Sequence, residues 1–161
     1  SRGVRFVDFE WGCFRDVALD AAYLRVPFPG CEASFALPSG LSDTMLEAWR
    51  NEIAAVWPDL DEPAVLERRL LHAQLLWVWL TTWWLLPRIR ERDRPIGPDA
   101  TRSPRISSAL GHYWRQMSAA AGAGGLPATA ELGEAVAGAL AKRFPDAPGT
   151  LPVYPAFRSV A

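Results

Sequence analysis

The sequence has few residues of several types that catalytic and metal sites use: 161 residues include two cysteines, two histidines, one lysine and one asparagine. Cys13 and Cys31 are too few for a disulfide framework or a closed zinc site. With no signal peptide visible, they favour a reduced, cytoplasmic setting. The single lysine, Lys142, lies near the C-terminus, so the sequence has no Walker A phosphate loop.

The charge of the chain is nearly balanced, with a net charge of −1, and its positive charge is almost all arginine. This balance predicts no nonspecific attraction for nucleic acid or anionic lipid. Half of the residues are hydrophobic, which is enough for a substantial core in one soluble, mainly α domain. The apolar run 70–86 is shorter than the ~20 residues of a bilayer span and contains His72 and Gln74. It predicts a buried central helix and no membrane partner.

Apolar residues at helical spacing and Pro or Gly stops predict several helices. The first covers 16–25. The second begins with Ser42 or Asp43 as its cap and runs to about Trp57, with a core-facing stripe of Leu46, Trp49, Ile53 and Trp57 or Val56. Pro63 opens a long helix that Pro87 ends or kinks. The last two helices contain the stripes Ile106, Leu110, Tyr113, Trp114, Met117 and Leu132, Val136, Ala139, Leu140, and Gly122 to Gly125 separate them. A Pro-rich tail, 145–161, could dock through Val153, Tyr154 and Phe157.

Four tryptophans of the long helix, Trp77, Trp79, Trp83 and Trp84, do not share one stripe. Core packing is the favoured interpretation of these rings, and an aromatic wall for an organic cation or sugar is the alternative.

Arginines alternate with other residues from Arg88 to Arg94. This pattern is typical of a charged helix end, since positive side chains suit the C-terminal dipole. A phosphate or acidic-partner contact would require the four arginines to converge in space, and the alternation does not place them on one helical face.

The strongest functional pattern is the run from Phe6 to Trp11, followed by Asp16 and Asp20. Val4, Phe6 and Val7 predict a short strand that ends at Asp8. A carboxylate at a strand end can hold Mg²⁺ against phosphate oxygens. Asp8 is therefore the candidate residue that binds Mg²⁺ and, through the ion, the phosphates of the nucleotide. Glu10 either assists in binding the metal or is a solvated or hydrogen-bonded carboxylate at the strand end.

The segment Val7 to Tyr23 resembles the aminoglycoside phosphotransferase and choline kinase-like family, whose pattern reads roughly Ile-Asp-Phe-Glu, Gly-Asp-Pro and Asp-Leu-Ala. The resemblance implies that Asp8 is the metal-binding Asp and that Asp16 and Asp20 open the next helix. Arg15 and Val17 replace the usual Gly and Pro. From the residues themselves, Asp16 is predicted to be an N-cap and Asp20 to be structural.

The family's catalytic loop, a His-Gly-Asp followed by Asn, precedes the metal-binding Asp, and no such pattern occurs here. We therefore expect a kinase-like C-terminal lobe with a short β-strand or hairpin remnant, whose partners are a missing nucleotide-binding lobe and a small-molecule substrate. Its expected parts are residues 1–24 with the metal-site strand and next helix, a helical subdomain 25–144, and the tail. The resemblance implies ATP and Mg²⁺ as cofactors of the intact protein and an inactive isolated chain. The alternative is a noncatalytic helical binding or interaction module.

Overall fold

The computed structural model describes residues 15–26, 34–97 and 103–157, and these residues are mainly helical. Within them two isolated bridges are the only β-type pairing, so the expected mainly α class is confirmed. The predicted strand that ends at Asp8 lies outside the described residues. The helices are α1 (Ala18–Ala22), α2 (Leu41–Ile53), α3 (Pro63–Leu85), α4 (Ile106–Ala123) and α5 (Pro127–Arg143), with 3₁₀ turns at Pro58–Asp61, Leu86–Ile89 and Pro155–Phe157.

Proline and glycine set most of the helix boundaries. Pro63 and Pro127 occupy the first position of α3 and α5, where a missing N–H costs no helical hydrogen bond. The prediction that Ser42 or Asp43 caps α2 was wrong, because α2 begins before both. Gly40 precedes α2 with φ of 78°, a backbone conformation that glycine adopts without a Cβ penalty.

The centre of the core is α4. Its predicted stripe is confirmed, because Ile106, Leu110, Tyr113, Trp114 and Met117 are all fully buried. Small residues cover much of the rest of its surface, and Ala109 and Ala121 are also buried. Neighbouring elements can therefore approach α4 closely on several sides.

The prediction that α3 is the buried central helix was wrong. One of its faces packs inward through residues such as Leu70, Val78 and Leu85, while its last three turns also carry exposed apolar side chains. Trp83 and Trp84 are 75% and 57% exposed. A strongly apolar sequence therefore predicts burial of one face of α3, but not of the whole helix.

Two other predicted stripes were partly wrong. In α2, Leu46 is buried, but Val56 and Trp57 follow the end of the helix and are exposed. In α5 the buried residues are Gly133, Ala137 and Leu140, whereas Leu132 is exposed. Ala139 is exposed as well. Small residues thus form the contact face of α5, because they allow a closer approach to α4 than larger ones would.

The C-terminal segment packs against residues 34–36. Ala36 donates its backbone N–H to the carbonyl of Pro152 and accepts from Tyr154, both at 2.9 Å. The ring of Tyr154 lies 5.2 Å from that of Phe35, and Leu151 is buried in the core. Docking through Tyr154 is confirmed, and Val153 pairs with Ala36 in an isolated bridge although it is 37% exposed. Phe157 is 52% exposed.

Candidate functional site

The two predicted metal ligands, Asp8 and Glu10, lie outside the described residues. The structure does describe the end of the same motif, from Arg15 onward. The position and contacts of Asp16 and Asp20 can therefore be compared with the sequence prediction.

Asp16 stabilises the start of α1. Its Oδ1 accepts the backbone N–H of Ala18 at 2.9 Å, but Val17 occupies the N-cap position of α1. The predicted N-cap was therefore one residue off, and Asp16 stabilises the first turn from the position before the cap. Its Oδ2 lies 3.8 Å from a guanidinium nitrogen of Arg69, and Arg69 also donates to Asp59 at 3.0 Å. Arg69 of α3 therefore links the start of α1 to the 3₁₀ turn Pro58–Asp61.

Asp20 forms an ion pair with Arg15, five residues earlier, and both side chains are partly solvated. This contact agrees with the structural role predicted for Asp20. The opposite face of α1 packs on α3, where Ala22 is buried beside Ala73. The indole N–H of Trp77 donates to the carbonyl of Leu19 at 2.8 Å. The short helix that follows the motif is thus held to the helical core by apolar packing and by hydrogen bonds.

A cavity of about 630 Å³ lies between the first half of α3 and the end of α4. Its size falls within the range of small-molecule sites. The charged or titratable residues in its wall are Arg25, Glu67, Arg68 and His72. Leu71 and Leu126 are among the apolar lining residues.

One ion pair orders a side of this cavity. The guanidinium of Arg25 donates to both carboxylate oxygens of Glu67, at 2.6 and 2.7 Å. This bidentate geometry fixes both side chains, and it balances their charges. Arg68 and His72 then contribute the remaining polar groups of the wall, and the site is suited to a polar or anionic ligand.

Sequence reasoning did not identify this cavity. Arg68 and His72 are spaced i, i+4 on α3, which places them on one helical face. That spacing is a usable signal, but the opposite wall comes from Ala120 and Gly124 at the end of α4. No sequence pattern pairs those two helix faces.

The tryptophans of α3 have different environments. Trp77 is half-buried against α1, and its ring lies 4.6 Å from that of Tyr23. Trp79 packs edge-on against Trp114 at 5.1 Å, although it is 47% exposed. Core packing therefore accounts for Trp77 and in part for Trp79, and it does not account for Trp83 or Trp84.

The described residues contain no group of three or more His, Cys, Asp or Glu side chains arranged to bind a metal ion. Within the same part of the chain, no helix combines the length and the hydropathy required to cross a membrane.

Comparisons with known proteins identify no relative of this chain. No family model, no curated protein and no solved structure matches it.

Proposed function

We propose that this chain is the helical, substrate-side lobe of an ATP-dependent small-molecule phosphotransferase similar to the aminoglycoside phosphotransferases and choline kinases. In the intact protein, phosphate would pass from ATP to a hydroxyl group of a small metabolite or antibiotic. The proposal rests on the motif that begins with Asp8 and Glu10, and a mainly helical fold is compatible with it.

The observation that carries the proposal is the environment of the last two acidic residues of the motif. Asp16 accepts the backbone N–H of Ala18 at the start of α1, and Asp20 pairs with Arg15, so each has a structural role. The proposal assigns the phosphate chemistry to the other two acidic residues of the motif, Asp8 and Glu10. Because α1 packs on α3, Asp16, which lies six residues after Glu10, has a defined position.

In the proposed enzyme Asp8 would hold Mg²⁺, with Glu10 assisting. The ion would neutralise the charge of the phosphate oxygens, and carboxylate oxygens are ligands that it favours. The catalytic base and the nucleotide-gripping residues would belong to a lobe that precedes residue 1. The 161-residue chain by itself should therefore bind Mg²⁺ weakly at most.

The test begins with the coding sequence upstream of Ser1. We expect it to encode a nucleotide-binding lobe and a His-Gly-Asp loop with a downstream Asn. The protein translated from the full reading frame should then transfer phosphate from ATP to an acceptor in a panel of aminoglycosides and amino alcohols. Asp8→Ala should reduce this transfer below detection, whereas the matched carboxylate change Asp20→Asn should retain it.

Two results would contradict the proposal. One is an upstream reading frame without the catalytic loop. The other is ATP turnover by the isolated 161-residue chain that Asp8→Ala abolishes, because the proposal places the catalytic base in the preceding lobe.

The cavity between α3 and α4 favours a second candidate function, a noncatalytic binding module for a polar small molecule. Its volume of about 630 Å³ suits such a ligand. This function predicts a ligand that raises the melting temperature of the 161-residue chain. Arg68→Gln should abolish that rise, and Arg50→Gln, which removes the same charge outside the cavity, should retain it.

A further inference from the structure

Four arginines that follow α3 converge on one cavity. Arg88, Arg90, Arg92 and Arg94 line a space of about 410 Å³ together with Pro87 and Glu91. The sequence alternation predicts a charged helix end, and by itself it does not place the four arginines on one helical face. A single helical face does not produce this arrangement, because α3 ends at Leu85 and a 3₁₀ turn, Leu86–Ile89, leads into an irregular segment.

The residues between the arginines explain which side of this segment faces outward. Ile89 is 1% exposed, and the side chain of Asp93 is 11% exposed. Both therefore turn toward the protein, and Ile96 is buried a few residues later. Arg90, Arg92 and Arg94 are exposed, and Arg88 is half-buried. The buried side chains of Ile89, Asp93 and Ile96 thus hold this segment so that the guanidinium groups surround one cavity that opens to solvent.

The backbone beneath the arginines is held in place. Asp93 accepts hydrogen bonds from the backbone N–H of Ser107 at 3.2 Å and from its hydroxyl at 2.5 Å. Ile106 donates its N–H to the carbonyl of Arg94 at 2.9 Å, and Arg143 of α5 donates to the carbonyl of Arg90. A site whose backbone is already ordered loses less conformational entropy when it binds a ligand.

These arginines also differ from other arginines of the structure in their charge environment. Arg25, Arg69 and Arg105 lie within salt-bridge distance of a carboxylate. Among the described residues, no carboxylate lies within 4.0 Å of a side-chain nitrogen of Arg88, Arg90, Arg92 or Arg94. The described residues that line the cavity include four arginines and one glutamate, so this part of the lining is strongly positive.

We propose that this cavity binds a small phosphate-bearing anion with at least two negative charges, such as pyrophosphate or the phosphate groups of a nucleotide. Planar guanidinium groups donate paired hydrogen bonds that match phosphate oxygens. A single charge would leave most of the four arginines without a partner. The proposal does not depend on the phosphotransferase function, because it uses residues 88–94 and neither Asp8 nor Mg²⁺.

The test is isothermal titration calorimetry of the 161-residue chain with pyrophosphate, in EDTA and at low ionic strength. EDTA removes divalent metals, so binding through Asp8 and Mg²⁺ does not contribute. We expect saturable binding that weakens as NaCl is added, because salt screens the exposed arginines. Arg92→Gln combined with Arg94→Gln should weaken binding about tenfold or more, the effect of losing charge-assisted hydrogen bonds.

The matched control is Arg50→Gln combined with Lys142→Gln. It also removes two positive charges, one from α2 and one from the exposed end of α5, and should change the affinity by less than about twofold. Glu91→Gln should tighten binding, because it removes the one carboxylate among the described residues that line the cavity. Circular dichroism verifies that each variant is folded.

Titration with ADP identifies the source of the phosphate groups. Equal affinity for ADP and pyrophosphate would assign the phosphate groups alone as the ligand, and a much higher affinity for ADP would assign a nucleotide. The proposal would be overturned if pyrophosphate did not bind saturably. Equal losses of affinity in the two double variants would also overturn it, because general charge and not this cavity would then explain binding.

Discussion

The indole of Trp114 is fully buried, and its N–H requires a hydrogen-bond acceptor. Thr82 of α3 supplies the acceptor, with its Oγ1 2.9 Å from the indole nitrogen. The same hydroxyl donates to the carbonyl of Val78 at 2.7 Å. This buried chain of hydrogen bonds joins α3 to α4 within the core.

Replacing Thr82 with Val should leave the indole N–H without a partner. We expect the free energy of unfolding to fall by about 1–3 kcal/mol, the cost of an unsatisfied buried donor. Thr82→Ser is the matched control, since it retains the hydroxyl and loses only a methyl group. Urea denaturation of both variants measures the difference, and equal losses would show that packing and not the hydrogen bond is responsible.

His112 makes stability depend on pH. Its pKa lies below its usual value because burial disfavours the charged imidazole and because Arg115 repels it. Below the usual pKa of about 6.5, the unfolded chain binds more protons at this residue than the folded chain does. The contribution of His112 to stability is therefore present above about pH 6.5 and is lost as the pH falls below that value.

We expect the free energy of unfolding to fall between about pH 7.5 and about pH 5.5, and His112→Gln to make this fall smaller. Urea denaturation at the two pH values measures it. His72→Gln is the matched control, because that histidine is exposed on α3. A fall that is unchanged by His112→Gln would contradict the assignment to His112.

The packing of α4 against α5 depends on a glycine. A Cβ placed on Gly133 would lie 2.9 Å from both the Cβ of Ser118 and the carbonyl oxygen of Trp114. Those distances are shorter than van der Waals contact, so a larger residue at 133 would force the two helices apart. A Cβ placed on Gly138, the other glycine of α5, would meet no heavy atom within 4 Å.

These two glycines make a matched pair for mutation to alanine. Gly133→Ala should lower the free energy of unfolding by about 1–3 kcal/mol, because it overpacks the contact between helices. Gly138→Ala should raise it by up to about 1 kcal/mol, because alanine has the higher helix propensity. Thermal or urea denaturation measures both, and a stabilising Gly133→Ala would contradict the close approach of α4 and α5.

Helix boundaries and buried faces were not equally predictable from the sequence. Pro63, Pro127 and the glycines after Ala123 limit helices through local sterics, so the sequence contains the relevant information. The inward face of α5 depends instead on where α4 lies. The prediction therefore favoured Leu132 over Gly133, because hydrophobicity alone cannot identify a glycine as a contact residue.

The two cavities could not be predicted from the sequence for the same reason. The alternating arginines from 88 to 94 converge because Asp93 bonds to Ser107 at the start of α4. The cavity at Arg68 and His72 depends on the end of the same helix. Each site depends on contacts between residues far apart in sequence, which periodicity along one segment does not specify.

At the scale of the whole chain, the C-terminal segment contributes to the core. Leu151 is 5% exposed and packs in the same cluster as Trp114 and Met117. Arg115 of α4 also donates to the carbonyl of Gly149, at the start of this segment. The Pro-rich tail is therefore part of the folded structure up to the residues that pair with Ala36.

Leu151→Ala should lower the free energy of unfolding by about 2–5 kcal/mol, because it removes a buried side chain and leaves a cavity. Phe157→Ala is the control within the same segment. Phe157 is 52% exposed, so its removal should cost less than about 1 kcal/mol. Urea denaturation measures both variants. If Leu151→Ala cost no more than Phe157→Ala, the tail would not be packed on the core in solution. A larger loss for Leu151→Ala would show that the fold includes residues far beyond the last long helix.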